Sequence, residues 1–345
     1  MIFSATRRSL LLVAAIAGLV TACTNAEQAE LEAQAAKADS LSVQLNSPEL
    51  KAVNSALLKD PANPALYKKR ANLYLGMKQF DEATFDAKRA IRLDSLDPDN
   101  YLALVDVFFS QKKTREARDQ LEIAEKKFPD NTAVLLRLAE IYYLVKKYQK
   151  GLDYVNKALK ADESLARAYY IKGTIYKESG DTARAVSSFE TATEQDNNFS
   201  DAFYDLGLIY AARRNPLAIE YYNSALRLDP TNTEKLYGRA RFLQELGKDD
   251  EAIREYEAIL KKDAACDRCF YNLGAIYLEI KNDPGKAVDY FTRAIAVNPG
   301  SAQTYFARGY AHAKLNDKAS ARADYKLCLQ IDPAHEGAIE GLNSL

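Results

Sequence analysis

The chain has 345 residues and nearly balanced charge, with 47 basic against 48 acidic residues and no block of like charge, which argues against nucleic acid as a partner. It contains two histidines, four cysteines and no tryptophan. Neither a nucleophile elbow nor a phosphate-cradling glycine loop is present, so the sequence carries no enzyme signature and predicts no cofactor and no small-molecule substrate.

The first residues have the pattern of an export signal. Arg7 and Arg8 give a positive start, and the apolar run over residues 10–20 is too short to span a bilayer. The run ends in Val20-Thr21-Ala22-Cys23, which resembles the lipobox of bacterial lipoproteins. This resemblance implies that residues 1–22 are a cleaved signal peptide and that acyl chains, palmitate among them, tether the mature protein to the cell envelope through Cys23.

Two other interpretations of this segment stay open. An ordinary signal peptide followed by a chance cysteine would release the protein into the envelope, and Thr6-Arg7-Arg8 faintly resembles a twin-arginine signal. Thr24 lacks the aspartate that favours inner-membrane retention in one well-studied bacterial group. By resemblance, the outer membrane is therefore the expected location.

A spacer and a helical cap are predicted next. Residues 23–46 are rich in Ala, Glu and Gln and contain no aromatic residue, which is typical of a linker without a core. Over residues 47–63, Ser47 and Pro48 start a helix whose apolar stripe ends before Pro61. This half-repeat is expected to cover the apolar face of the first full repeat.

From residue 64 onwards, one constellation recurs with a spacing of 34, 34, 34, 34, 33, 34 and 35 residues. Each unit has two apolar stripes with helical spacing, separated by a turn, and aromatic residues stand opposite small ones. The small position of the first helix is occupied by Ala71, Val105, Ala139, Gly173, Gly207, Ala240, Gly274 and Gly309. The bulky position is occupied by Tyr67, Tyr101, Leu135, Tyr169, Phe203, Leu236, Phe270 and Tyr305.

This pattern resembles the tetratricopeptide repeat, a helix-turn-helix unit. The resemblance implies an all-α fold, a right-handed superhelical α-solenoid of about eight repeats with helical caps. The predicted repeats span residues 64–97, 98–131, 132–165, 166–199, 200–232, 233–266, 267–301 and 302–335, and residues 336–345 form the C-terminal capping helix. No tryptophan fills the bulky position, and the closing proline is missing from several units.

Cys266-Asp267-Arg268-Cys269 is the one motif that suggests chemistry. In redox proteins a CxxC motif opens a helix after a strand, whereas this one follows a predicted helix and opens a repeat. A structural disulfide is expected in an oxidising compartment, with free thiols, a metal site and redox catalysis as the alternatives. Cys328 occupies a small packing position and is expected to be a buried thiol.

Neither histidine is predicted to bind a metal. His312 falls at a repeat position that usually carries an aromatic residue, which favours packing. His335 precedes the last helix and is expected to cap it. No histidine stands at metal-ligand spacing from a cysteine.

The resemblance also implies a concave groove lined by the first helices, where partner proteins or peptides lie. The residue after each bulky position should face it, namely Lys68, Leu102, Leu136, Tyr170, Tyr204, Tyr237, Tyr271 and Phe306, with Arg241 and Tyr310 nearby. Five consecutive aromatic residues suit a peptide or a partner's helix. They could equally serve only to pack against the next repeat.

A second groove feature concerns the first repeats. Some members of the family hold a partner's C-terminal carboxylate with lysine, asparagine and a further basic residue. Lys68, Asn72 and Arg137 match these positions, but Ala103 and Ala133 stand where polar residues are expected.

We therefore expect a lipid-anchored scaffold that binds proteins in the bacterial envelope and has no catalytic residues. Two alternatives remain. One is a chaperone-like holder of exported proteins or an assembly factor for outer-membrane or secretion machinery, which would capture many partners. The other is a redox protein using Cys266 and Cys269, which an insulin-reduction assay would reveal.

Lipidation at Cys23 has a direct test. Metabolic labelling with a palmitate analogue should mark the wild-type chain, and the Cys23→Ala variant should stay unlabelled because it lacks the acceptor thiol. A wild-type chain that takes up no label contradicts the lipoprotein hypothesis.

Overall fold

The computed structural model describes residues 47–345, which form α-helices joined by short turns and contain no strand. The signal peptide, Cys23 and the linker predicted above lie outside the described residues. Within residues 47–345, no helix has the length and hydropathy that a transmembrane span requires.

The described residues divide into two compact units, and each is a stack of antiparallel helix pairs. The first unit, up to Glu163, contains α1 (Pro48–Lys59), α2 (Pro64–Gly76), α3 (Phe80–Leu93), α4 (Pro98–Ser110), α5 (Thr114–Lys127), α6 (Thr132–Leu144) and α7 (Tyr148–Ala161). The second unit, Ser164–Leu345, contains α8 (Ala166–Glu178), α9 (Thr182–Gln195), α10 (Ser200–Ala212), α11 (Leu217–Leu228), α12 (Thr233–Glu245), α13 (Asp249–Lys262), α14 (Asp267–Glu279), α15 (Pro284–Val297), α16 (Ala302–Lys314), α17 (Lys318–Ile331) and α18 (Glu336–Ser344). The all-α solenoid fold predicted from the repeat is confirmed.

Local sequence sets the helix boundaries. Asn63 caps α2, since its Oδ1 accepts hydrogen bonds from the backbone N–H groups of Ala65 and Leu66 at 3.1 and 3.4 Å. The turn inside each pair ends in the left-handed backbone region, with a positive φ at Lys78, Lys112, Lys146, Gly180, Arg214, Gly247, Asn282 and Asn316. Only two of these residues are glycine, so most turns hold a side chain in a conformation that glycine favours.

The two helices of a pair touch where a small residue faces an aromatic ring. A Cβ added to Gly173 would lie 2.6 Å from the Phe189 ring, and one added to Gly274 would lie 2.7 Å from the Phe291 ring. Real Cβ atoms do not approach a ring so closely, so glycine is required for this helix spacing. Gly207 meets Tyr222 and Gly309 meets Tyr325 in the same way.

An arginine bridge joins neighbouring pairs at three places. Arg70 in α2 binds Asp86 of α3 through Nε and Nη2, at 2.6 and 2.8 Å, while its Nη1 donates to Asn54 Oδ1 of α1 at 3.0 Å. Arg70 and Asp86 are both buried, so each charge depends on the other. Arg239 (with Asn223 and Glu255) and Arg308 (with Thr292 and Asp324) repeat the arrangement.

A single helix, α1 in the first unit and α18 in the second, covers a helix pair of its unit. Asn54 in α1 takes the place that Asn223 and Thr292 hold in second helices, so α1 packs as a second helix does. In the second unit, α18 buries Ala338 and places Gly341 against the Tyr325 ring. These contacts shield apolar faces that a terminal repeat would otherwise expose.

The glycine–aromatic contact predicts a stability effect. In Gly274→Ala the new methyl group must displace the Phe291 ring, which costs about 1–3 kcal/mol, while better helix propensity returns up to about 1 kcal/mol. We therefore expect the free energy of unfolding in urea to fall by about 1–2 kcal/mol.

Gly285→Ala is the matched control, because the nearest atom to its added Cβ is Asp283 Oδ1 at 3.6 Å. It should leave the urea midpoint unchanged or raise it slightly. Equal urea midpoints for the two variants would show that ring proximity does not limit the packing.

Candidate functional site

The basic residues proposed as a carboxylate clamp in the first unit are already paired with acids. Lys68 Nζ lies 3.0 Å from Asp97 Oδ2. Arg137 pairs with Asp106, and its Nη1 lies 3.4 Å from Glu140 Oε2. Asn72 is exposed, and within residues 47–163 no hydrogen bond or ion pair joins it to Lys68 or Arg137. A free carboxylate would therefore compete with internal acids for both cations.

The second unit holds the aromatic residues predicted to face the groove. We call Tyr170, Tyr204, Tyr237, Tyr271 and Phe306 the aromatic face. All five are half-buried, and each packs against an aromatic ring of the second helix in its own repeat. The ring pairs are Tyr170–Phe189 at 5.6 Å, Tyr204–Tyr222 at 5.8 Å, Tyr237–Tyr256 at 5.9 Å, Tyr271–Phe291 at 5.7 Å and Phe306–Tyr325 at 5.9 Å between centroids. The rings are thus held in place before any partner arrives.

The same side chains reach into the next repeat. The Tyr204 hydroxyl donates to the Glu234 carbonyl at 3.3 Å. The Arg268 guanidinium lies 4.2 Å from the centroid of the Tyr237 ring. Gln303 Nε2 donates to the Tyr271 hydroxyl at 3.2 Å. Each of these tyrosines is therefore tied to the start of the following first helix.

Two phenols of the face, Tyr170 and Tyr204, have a raised pKa. Burial, followed by the nearby carboxylate of Glu234, raises the pKa of Tyr204 to about 12. Burial also raises the pKa of Tyr170, and Asp205 adds to the shift. A partner would meet uncharged phenols there.

Two neighbouring clefts open along the face. The larger, of about 300 Å³, lies between α12, α14 and the start of α16, and Tyr237, Asp267, Arg268, Tyr271, Asn272, Ser301, Gln303 and Thr304 line it. The smaller, of about 150 Å³, is lined by Tyr204, Leu208, Gly238, Arg241 and Glu245 among others. Tyr237 and Arg268 belong to both, so the clefts are adjacent. Three of the predicted tyrosines combine packing against their own repeat with lining of a cleft.

Charge inside the clefts is balanced by short-range pairs. Arg268 Nη2 lies 2.8 Å from Glu234 Oε2, and Arg241 Nε lies 3.2 Å from Glu245 Oε1. Asp267 adds one carboxylate to the larger cleft. The site therefore offers aromatic rings and polar groups without excess positive charge.

The remaining predicted residues lie outside the lining of these clefts. Tyr170 packs between Phe189 and Phe199. Phe306 stacks on Tyr310 at 6.5 Å and on His335 at 4.7 Å between ring centroids. Tyr310 is 36% exposed and extends the aromatic surface beyond the clefts.

Sequence reasoning missed the polar residues that complete the site. Glu234, Arg268 and Gln303 stand three residues before Tyr237, Tyr271 and Phe306, and each contacts the face tyrosine of the preceding repeat. Their regular place, one helical turn before each face residue, was the signal that could have identified them.

Cys266 and Cys269 flank two residues that line the larger cleft. The structure joins them by a disulfide with the Cα atoms 5.3 Å apart, and both residues are buried. Asp267 and Arg268, between the two cysteines, line the cleft. The bridge therefore fixes the first turn of α14, from which two cleft residues project.

The other candidate residues have structural contacts. Cys328 is a buried free thiol whose pKa is raised by burial. His335 caps α18 by accepting the Ala338 N–H at Nδ1, at 3.3 Å. His312 is half-buried, with Nδ1 3.5 Å from Asp317 Oδ2. Among residues 47–345, no three His, Cys, Asp or Glu side chains are grouped to hold a metal ion.

Comparisons with known proteins agree with this architecture. A family model described as tetratricopeptide repeat matches residues 102–166, 170–233 and 281–336, and a second one with the same description matches residues 210–273. The chain is 25% identical to FlbA of Caulobacter vibrioides over 62% of its own length and 36% of FlbA. It is also 25% identical to the Hsp70-Hsp90 organizing protein of Triticum aestivum, over 62% of its own length and 37% of that protein. The chain thus spans little more than a third of either relative.

Solved structures show the same fold. The C-terminal part of a TPR repeat-containing protein from Cytophaga hutchinsonii superimposes with a TM-score of 0.58 at 21% identity, covering 69% of this chain and 98% of that one. A tetratricopeptide repeat protein from Parabacteroides merdae gives 0.50 at 20% identity, covering 71% of this chain and 97% of that one. At this identity the likeness concerns the fold alone.

The disulfide predicts a pattern of thiol reactivity. In the unreduced folded protein, Cys266 and Cys269 should resist alkylation because both are oxidised, and each should gain one alkyl group after reduction and denaturation. Intact mass and peptide mapping measure this. Alkylation of both residues in the unreduced, denatured chain would show that the bridge is absent.

Proposed function

We propose that this chain, which belongs to the tetratricopeptide repeat family, is a protein-binding scaffold that holds a peptide or helical segment of a partner against the aromatic face of its second unit. The observation that carries the proposal is the pair of adjacent clefts lined by Tyr204, Tyr237 and Tyr271. Fold membership alone would not select a surface, whereas these clefts do.

The chemistry of the face suits a protein ligand. Tyrosine supplies a large apolar ring together with a hydroxyl, and few torsions must be frozen when it binds. Here the rings already pack on Tyr222, Tyr256 and Phe291. These tyrosines therefore lose little side-chain conformational entropy on binding, which favours affinity for a segment that is itself flexible.

We further propose that the scaffold works in the bacterial cell envelope, lipid-anchored through Cys23 and located at the outer membrane. The support for this part is the signal-like sequence of residues 1–23. The linker over residues 23–46 would hold the repeats away from the bilayer, by roughly 80 Å if fully extended.

The structure argues against redox catalysis as the main activity. Both sulfur-bearing residues are buried, with Cys269 0% and Cys266 8% exposed. A catalytic thiolate needs access to its substrate disulfide and a polar environment that lowers its pKa. The disulfide is better explained as a structural bridge that holds the cleft residues Asp267 and Arg268 in place.

Site-specific photocrosslinking tests the location of the binding surface. A benzophenone amino acid at the exposed Arg241, on the aromatic face, should crosslink partner proteins in the native envelope, and mass spectrometry would identify them. The matched control places the same residue at the exposed Lys261, on the second helix of the same repeat. Equal crosslinking from both positions, or capture from position 261 alone, would refute the proposed face.

A further inference from the structure

The larger cleft offers hydroxyl protons that no internal group accepts. The Tyr237 hydroxyl accepts a hydrogen bond from Asn272 Nδ2 at 3.1 Å, and the Tyr271 hydroxyl accepts one from Gln303 Nε2 at 3.2 Å. Ser301 Oγ accepts from the Thr304 hydroxyl at 2.8 Å. Within the second unit, none of the three donates a hydrogen bond of its own, so each keeps its proton for a ligand.

The surrounding network fixes these roles. Asn272 Nδ2 also donates to the Tyr256 hydroxyl at 3.0 Å, and Tyr256 in turn bonds Gln244 Oε1 at 3.1 Å. The amide nitrogen of Asn272 therefore faces both phenols, which makes Tyr237 an acceptor inside the protein and a donor outside it.

Gln303 is oriented by the cap of the last helix. His335 Nδ1 accepts the Ala338 N–H, so Nε2 carries the ring proton and donates to Gln303 Oε1 at 3.2 Å. The Gln303 Nε2 group is then turned towards Tyr271. Two separate networks thus prepare Tyr237 and Tyr271 as donors.

The acceptors in the cleft are largely used within the protein. Asp267 Oδ1 accepts from the Arg268 N–H at 2.8 Å, and Asp267 Oδ2 accepts from Asn298 Nδ2 at 2.8 Å. Gln303 Oε1 is taken by His335. A ligand that brought many N–H groups would leave some of them buried without a partner, and each such group is costly.

We propose that the cleft binds a proline-rich segment of a partner protein in the polyproline II conformation. Proline has no N–H to satisfy, and its carbonyl groups are free to accept hydrogen bonds because this helix makes none internally. Aromatic ridges with hydroxyl donors are the surface that such segments recognise. The inference rests on the proposed function and names the kind of segment that the aromatic face takes.

Repeat geometry fits this ligand. Tyr237 and Tyr271 lie on α12 and α14, the first helices of successive repeats. Both tyrosines line the same cleft, and Asn272 of α14 donates to the Tyr237 hydroxyl of α12 at 3.1 Å. One turn of polyproline II advances by roughly 9 Å, so a segment of a few turns would be long enough to contact both tyrosines.

An anionic ligand fits the cleft less well. Arg268 is the one cation among the residues that line the larger cleft, and it is paired with Glu234 at 2.8 Å and lies over the Tyr237 ring. The Asp267 carboxylate in the same cleft would repel an incoming anion.

Binding of a blocked decaproline, acetylated and amidated so that it carries no charge, tests the proposal by calorimetry on the full chain. The wild type should bind decaproline and should not bind a blocked (Gly-Ser)5 peptide, whose N–H groups outnumber the free acceptors of the cleft. Tyr237→Phe with Tyr271→Phe should weaken decaproline binding about 25-fold, since each lost hydroxyl bond is worth roughly a factor of five. Tyr142→Phe is the control, because that residue lies in the first unit, lines neither cleft and donates its hydroxyl to Glu122 Oε1 at 2.8 Å, so its loss should change affinity less than about twofold.

The ring packing survives in all three phenylalanine changes, so thermal melting should stay close to the wild type and unfolding would not explain a loss of binding. The proposal is overturned if decaproline fails to bind, if the double variant binds as tightly as the wild type, or if the (Gly-Ser)5 peptide or a blocked decaglutamate binds better. Crosslinking from position 241 distinguishes failure of this inference from failure of the proposed function. A captured partner segment without proline overturns only the proline-rich ligand. The absence of any captured partner overturns the proposed function.

Discussion

The structure of the second unit depends on one contact, the aromatic ring of each second helix packed against a small residue of the first. At Gly173, Gly207, Gly274 and Gly309 the ring lies so close that no side chain could stand in its way. Phe189, Tyr222, Phe291 and Tyr325 also contact the aromatic face from behind. One ring in each of these repeats thus sets the spacing of the helix pair and the position of a residue on the candidate binding surface.

Coupling between repeats follows from the same arrangement. These face tyrosines are held by the second helix of their own repeat and contact a residue at the start of the next first helix. Tyr237 contacts Arg268, and Tyr271 contacts Gln303. In the eighth repeat, the His335 ring at the start of α18 lies against Phe306 in the corresponding way. Recognition and stacking therefore share side chains, so replacing a face tyrosine by alanine would disturb both, whereas phenylalanine changes only the hydroxyl.

The fold could be predicted from the sequence because the packing of small against aromatic residues repeats with a fixed period. Amino-acid composition alone does not show this period. The face tyrosines were also predicted, but their hydrogen-bond partners were not. Asn272 and Gln303 donate to Tyr237 and Tyr271 from the next helix pair. The place of Gln303 follows the repeat, but the sequence does not show which side chain reaches which hydroxyl. The same limit applies to Lys68 and Arg137, which matched a family motif by position while their neutralising acids became visible only in three dimensions.

The conformation of the turns could not be predicted from their own residues. Lys78, Lys112 and Lys146 hold a left-handed backbone although lysine has no preference for it. Antiparallel packing of the flanking helices overrides the local preference, so the turns could be placed from the period but not from their own residues. Sequence accounts well for elements that repeat, and poorly for contacts that depend on how one repeat sits on the next.

The central claim is that the aromatic face of the second unit is where a partner binds. Hydrogen–deuterium exchange of the full chain, with and without the partner segment identified by crosslinking, tests it most directly. The account predicts slower exchange in the first turns of α12, α14 and α16, around Tyr237, Arg268 and Gln303. Protection confined to the second helices α13 and α15, or to the first unit, would contradict it.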